Sequence, residues 1–364
     1  MELKSIHRLR IPLKGSAILV LVYLFLLSIT IIGSSLKLMG ADFATKVMQG
    51  VSNPFVGLIV GILTTAIVQS SSLTSSLVVS MVAGEVLTIG LAIPIIMGAN
   101  IGTTITNVLV SIGHIGKKDE FERAFAAATV HDFFNILAVL LLFPLQYFFN
   151  IIGRGAHFIA ELFENVGGLR LINPLGKILD PVAMRICGLF PGHLWLNIIL
   201  AFVLLFVALT FLVRVIKSLV LAKVEVFFDQ YIFKNTLRAF LLGLVLTTIV
   251  QSSSITTSLV VPLAAAGILT LKKIYPYDLG ANIGTTITAF LAAMATGNIN
   301  AITIAFSHTL FNIFGTCIFL PLQRLPIALA RGLASLTRRN RVYAIVYVAT
   351  LFFIIPIILI FISR

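Results

Sequence analysis

An all-α polytopic membrane protein is the fold this 364-residue chain predicts: two inverted-topology repeats, each with a re-entrant helical hairpin and a broken helix, plus one extra C-terminal span. Three observations predict it. The first is composition. Hydrophobic residues make up 59% of the chain and charged ones 11%, less than half the roughly 25% of a soluble domain, and mean hydropathy is +1.09. An ordinary soluble enzyme, a disordered chain and a nucleic-acid-binding module are excluded. The second is duplication: Gln69–Thr106 and Gln251–Thr288 share 22 identities over 38 positions without a gap. The third is charge. The net +13 comes from 26 Lys and Arg against 13 acids, and the bases sit in short runs between apolar stretches, where they report orientation.

The elements follow in order. Gly15–Leu36, after Lys4, Arg8, Arg10 and Lys14, is long enough to span a bilayer, and no small-residue cleavage site follows it. It reads as an uncleaved first helix. Pro54–Ala83 reads as a hairpin dipping in and out around Gln69, then come spans Leu87–Gly113 and Ala124–Asn150, closing a first repeat at 1–150. Residues 151–192 mix charge with apolar residues and read as helix and loop on the outer face. The second repeat, 193–323, starts with a span at about Asn197–Ser218. Residues 324–341 read as a basic cytoplasmic surface helix, and 342–364 as a final span. Three crossings per repeat is an odd number, so the second repeat is inverted, a signature of secondary transporters. With the N-terminus in the cytoplasm of the plasma (inner) membrane, segments 1–14, 113–123, 214–238, 272–273 and 324–341 hold 19 of the 26 bases, the bias that the positive-inside rule requires.

Chemistry concentrates in the duplicated block. Gln69, Ser70, Ser71 and Ser72 recur as Gln251, Ser252, Ser253 and Ser254. Three serines in the middle of an apolar hairpin open its backbone, which is tolerated at membrane depth only against protein or a cavity. The helix that starts there aims free amides and a positive dipole end at the gap, making an anion site without a basic side chain. No Lys or Arg occurs between Asn53 and Gly116. The second repeated feature is Pro94 followed by Gly98–Thr104, matched by Pro276 and Gly280–Thr286. Proline and paired glycines break each span, and Asn100, Asn282 and the threonine oxygens offer hard ligands to an alkali cation. Asp132 and Asp278 are the acids within repeat spans, and buried ionisable groups in membranes are costly and functional; either suits a sodium ion or a proton. Glu85 reads as solvated. His131 and His308, each four residues before Asn135 and Asn312, read chiefly as interhelical hydrogen-bonding residues. Cys187 and Cys317 read as unpaired small hydrophobes.

The doubled QSSS, the GANIGTT pair and the stretch Arg123–Asn135 resemble the type II sodium/phosphate cotransporter family, over roughly Asn53 to Pro321. The resemblance implies sodium-driven import of inorganic phosphate at a centre between the repeats, with sodium a co-transported ion and no cofactor. It implies phosphate ligands Ser70, Ser71, Ser72, Ser252, Ser253, Ser254, Thr103 and Thr285. It implies sodium ligands among Gln69, Gln251, Asn100, Asn282, Thr104, Thr286, Asp132, Asn135 and Asp278. In the family an Asp at the position of Asp132 accompanies electrogenic transport. Asp278 departs from the threonine of animal members, and the long cysteine-bearing loop of those members is absent. Phosphate, sodium and the bilayer are the expected partners, with no nucleic acid and with a homodimer of independent protomers as the assembly weighed. A proton-coupled or other-oxyanion carrier is the alternative; no GxSxG-type turn supports a serine hydrolase.

Overall fold

The structure, a computed structural model, describes residues 2–51, 53–190, 193–227 and 235–363. The bases Lys4, Arg8, Arg10, Lys223 and Lys234 of the charge count lie outside the described side chains. In chain order the helices are α1 (Glu2–Gly50), α2 (Pro54–Val68), α3 (Ser71–Ala83), α4 (Ile89–Gly102), α5 (Ile105–Ile112), α6 (Lys118–Phe149), α7 (Ile151–Asn165), α8 (Gly168–Cys187), α9 (Leu194–Phe227), α10 (Thr236–Val250), α11 (Ser253–Ser258), α12 (Val260–Ala265), α13 (Leu271–Thr296), α14 (Ile299–Phe319), α15 (Arg324–Arg339), α16 (Val342–Ala349) and α17 (Ile355–Ser363). A π-helical turn, Thr350–Ile354, joins the last two. No strand occurs among the described residues.

Among the described residues, seven helical stretches are long and apolar enough to cross a membrane: Lys14–Gly50, Ile89–Ile112, Lys118–Phe149, Leu194–Leu219, Leu271–Thr296, Ile299–Phe319 and Val342–Ser363. This is the number of crossings the charge argument needs. Helix α1 runs well beyond the expected Leu36, with one non-helical residue at Gly40 (φ 79°, ψ −179°). The arms α2 and α10 have 15 residues each, about 22 Å of helix at 1.5 Å per residue, short of a roughly 30 Å hydrocarbon core. Each is launched by an asparagine cap, Asn53 on Val56 N and Asn235 on Leu237 N. Each ends on a glutamine in the left-handed region, Gln69 (φ 57°) and Gln251 (φ 59°). Ser70 and Ser252 then cap the returning helix by accepting from Leu73 N and Ile255 N. The expected backbone opening at QSSS is therefore present in both copies.

Close helix packing binds the hairpins to the crossing helices. α2 lies along α4 and α10 along α13. A methyl group on Gly61 would fall 2.0 Å from the Ile95 carbonyl oxygen, and one on Gly98 2.0 Å from that of Leu58. Gly243 and Gly280 stand in the same relation to Tyr277 and Phe240. This is the small-residue approach typical of membrane helices. Gly98→Ala should lower the thermal midpoint of the detergent-purified protein, since overpacking costs about 1–3 kcal/mol. Gly90→Ala, which meets open space, should not; equal midpoints for the two would contradict the packing argument.

The second break differs from expectation: α13 runs unbroken through Gly280–Thr286, whereas α4 gives way to α5 at Thr103–Thr104. The cause is a side chain. Asn135 Nδ2 donates to the Asn100 carbonyl at 2.9 Å, the acceptor that Thr104 N would use in an α-helix, and Thr104 N turns to Ile101 O instead. In the second copy Asn312 donates to His308 O of its own helix, leaving α13 intact. A second asymmetry is written in the sequence. Pro262 stands where the first copy has Ser80, removes a backbone donor, and the return arm divides into α11 and α12.

The surface helices α7 and α15 pack on α14 and α6 respectively. Arg338 pairs with Asp119 (3.0 Å) and Glu122 (3.4 Å), and Arg341 donates to Gly116 O. Segments 113–123 and 324–341 thus share one face. Glu85 pairs with Lys37 at 3.4 Å, both largely exposed. The two cysteines are free, Cys187 lying 3.4 Å from Ser35 Oγ.

Candidate functional site

The two hairpin tips meet. Ser72 Oγ donates to Gln251 O (3.1 Å) and lies 3.4 Å from Thr285 Oγ1 and 3.3 Å from Thr288 Oγ1. Thr103 Oγ1 donates to Ser71 Oγ (3.2 Å) and lies 3.1 Å from Ser254 Oγ. Thr257 Oγ1 donates to Asn107 Oδ1 at 3.0 Å. A buried seam of hydroxyls therefore joins the repeated segments, and its hydrogen bonds are exchangeable.

Beside this seam is a cavity of about 290 Å³ lined by Gln69, Ser70, Ser72, Gln251, Ser252 and Ser254, among others. Its far wall is α9, with Phe206, Thr210 and Arg214. The two glutamines differ. Gln251 Oε1 accepts from Thr288 (2.7 Å) and its Nε2 donates to Thr248 O, whereas Gln69 is exposed at the cavity. Ser253 Oγ is buried without a partner. Of the expected phosphate ligands, Ser70, Ser72, Ser252 and Ser254 line the cavity; Ser71, Thr103 and Thr285 lie on the seam, and Ser253 does neither.

A second polar layer crosses between α4, α6 and α13. His131 Nε2 lies 2.7 Å from Asn282 Oδ1, and Asn282 Nδ2 donates to Asn135 Oδ1 at 2.8 Å. Asn100 Nδ2 turns to Ile96 O. The interhelical role expected of His131 is present, but His308 is buried with neither ring nitrogen bonded; its counterpart partner, Asn100, turns to Ile96 O. Thr286 accepts from Thr309 (3.0 Å), away from the seam. Thr104 lies beside the Asp132 carboxylate, whose Oδ2 accepts from Tyr347 at 2.9 Å. Asp278 is 1% exposed, with neither carboxylate oxygen bonded.

Arg214 stands at the edge of the charge tally. It lies within the candidate span Leu194–Leu219 and lines the cavity, where the sequence reading put it in a cytoplasmic loop. Its guanidinium sits 5.2 Å from the Phe211 ring centre, a cation–π contact. Its place after an apolar run hid it, because a base at a span end ordinarily reports orientation. Thr288 closes the duplicated block and could have been found by extending the motif; Tyr347, outside the repeats, gave no signal. Among the described residues no group of three or more His, Cys, Asp or Glu could hold a metal ion, so a cation here would rest on mixed hydroxyl, amide and single carboxylate oxygens.

The family model described as Na+/Pi-cotransporter matches residues 24–167 and 197–355. Sodium-dependent phosphate transport protein 2B of Homo sapiens is 33% identical over 446 aligned positions, covering 94% of this chain and 64% of that protein. The Pongo abelii 2B protein gives the same identity and coverage. Protein 2A of Mus musculus is 32% identical, covering 94% of this chain and 67% of that protein. The chain thus spans just under two thirds of the length of the 2B relatives. No solved structure matches it.

Proposed function

This chain belongs to the Na+/Pi-cotransporter family, and on that premise we propose that it imports inorganic phosphate with sodium across the plasma membrane by alternating access, its N-terminus cytoplasmic. The observation that carries the reading is the cavity where both QSSS tips converge. Oxyanions are held there by the Ser70–Ser72 and Ser252–Ser254 hydroxyls and by first-turn amides of α3, whose 13 residues give a sustained dipole. Thr103 and Thr285 set the serines. Sodium is held by oxygens of Gln69, Gln251, Asn100, Asn282, Asn135, Thr104 and Thr286, and by the carboxylates of Asp132 and Asp278. Each ion raises the other's affinity, and no covalent chemistry is involved. The two inverted repeats, 1–150 and 193–323, supply one tip each. The residues all lie within one chain, so copies in a homodimer work independently.

Radiolabelled phosphate uptake into proteoliposomes tests this: an imposed sodium gradient should drive uptake that a proton gradient does not, and arsenate should compete better than sulfate. Uptake indifferent to sodium would sink the reading. Arg214→Gln should raise the phosphate KM about tenfold, the loss of one charge-assisted hydrogen bond of roughly 1.5 kcal/mol. Its sodium midpoint should hold, and an unchanged KM would remove Arg214 from the substrate path.

A further inference from the structure

The last span stands outside the duplicated unit, yet it reaches a fully buried carboxylate. Tyr347 of α16 donates its hydroxyl to Asp132 Oδ2 at 2.9 Å. Asp132 is 0% exposed, its other oxygen has no partner, and none of the ion pairs among the described residues includes it. An enclosed carboxylate with one orphaned oxygen is costly unless a cation meets it.

The tyrosine ring is clasped. Phe125 stands edge-on at 6.1 Å and Phe133 lies tilted at 6.3 Å, both from α6, the helix that carries Asp132. Phe352 closes the clasp edge-on at 6.5 Å. Five residues apart, Tyr347 and Phe352 would point about 140° apart on a regular α-helix. The π-helical turn Thr350–Ile354 contains Phe352 and changes that register. Such turns recur at functional sites.

We propose that Tyr347 is a positioning residue for a co-transported monovalent cation. Its hydroxyl fixes Oδ2, so that Oδ1 is presented to the ion with Thr104 alongside. The final span is thereby part of the coupling site. This rests on the reading above that Asp132 meets a transported cation.

The test uses the full chain, purified in detergent and in proteoliposomes, with sodium chloride titrated against choline chloride. Tyr347→Phe keeps the ring in its clasp and removes the hydroxyl. Its sodium midpoint, for thermal stabilisation and for phosphate uptake, should rise about tenfold, the lower end of the effect of losing a ligand-orienting hydrogen bond. The phosphate KM at saturating sodium should move far less, while the sodium-free melting temperature should fall, because the buried Asp132 loses its Tyr347 hydrogen bond. In an Asp132→Asn background the added Y347F should shift nothing further. A midpoint shift below twofold, or an equal shift in the D132N background, overturns the proposal. Should Y347F fail to fold, Phe352→Ala opens the clasp with the hydroxyl kept; it should raise the midpoint, and no change would overturn the proposal equally. A wild-type protein that neither responds to sodium nor takes up phosphate defeats the transport reading and this inference together. A responsive wild type with an unaltered Y347F defeats this inference alone.

Discussion

Thr103→Val is expected to cut sodium-driven phosphate uptake at least about tenfold while leaving the protein folded. Thr103 Oγ1 is the hydroxyl that touches serines from both hairpins, Ser71 and Ser254. It is 2% exposed, and valine nearly reproduces its shape. The substitution strips one partner from each serine, and a buried polar group left unsatisfied costs about 1–3 kcal/mol, where 1.4 kcal/mol is tenfold. The measurement is the initial rate of phosphate uptake below KM in proteoliposomes of matched protein content. Thr129→Val is the control, because its hydroxyl serves the Phe125 carbonyl of its own helix and its loss should change the rate less than twofold. Full uptake by T103V would show that the seam does not organise the site.

Asp278→Asn is expected to raise the melting temperature without sodium and to flatten the sodium response. Nothing answers this carboxylate. Both oxygens are unbonded, and the neighbouring Tyr275 and Tyr277 spend their hydroxyls on Phe319 O and Thr256 O. An unanswered buried charge destabilises the empty protein, and a bound cation relieves it. A ligand at 100 times its Kd stabilises by about 2.7 kcal/mol, so loss of this site removes stabilisation of that order. Melting curves in sodium chloride and choline chloride read both effects. An unchanged sodium increment in D278N would exclude Asp278 as a cation ligand.

Much of this was legible from the residues. The serine triplets had to open the hairpins, because three hydroxyls compete for backbone groups, and both copies do open at a left-handed glutamine. Pro262 in place of Ser80 announces the divided return arm. What the sequence hid depends on a choice between copies. Asn135 and Asn312 are equivalent by motif, yet one captures a carbonyl of the neighbouring helix and the other bonds at home. No local pattern says which. The unbroken α13 descends from that choice. Arg214 and Tyr347 were missed for a different reason: each acts across a helix interface, and neither α9 nor the final span carries a polar motif around it.

The glycine contacts of α2 with α4 and of α10 with α13 have a mechanical consequence. Backbone seated against backbone at van der Waals limit leaves little room for sliding, so in the proposed transport cycle each hairpin arm and its crossing helix would travel as one piece. The hydroxyl seam is the opposite kind of joint. Its bonds can be exchanged one for one with water or with the oxygens of an anion, so parting it leaves no donor stranded. Close backbone contact is thus lodged in the glycine pairs, and the exchangeable joint is the one beside the cavity where the two tips converge.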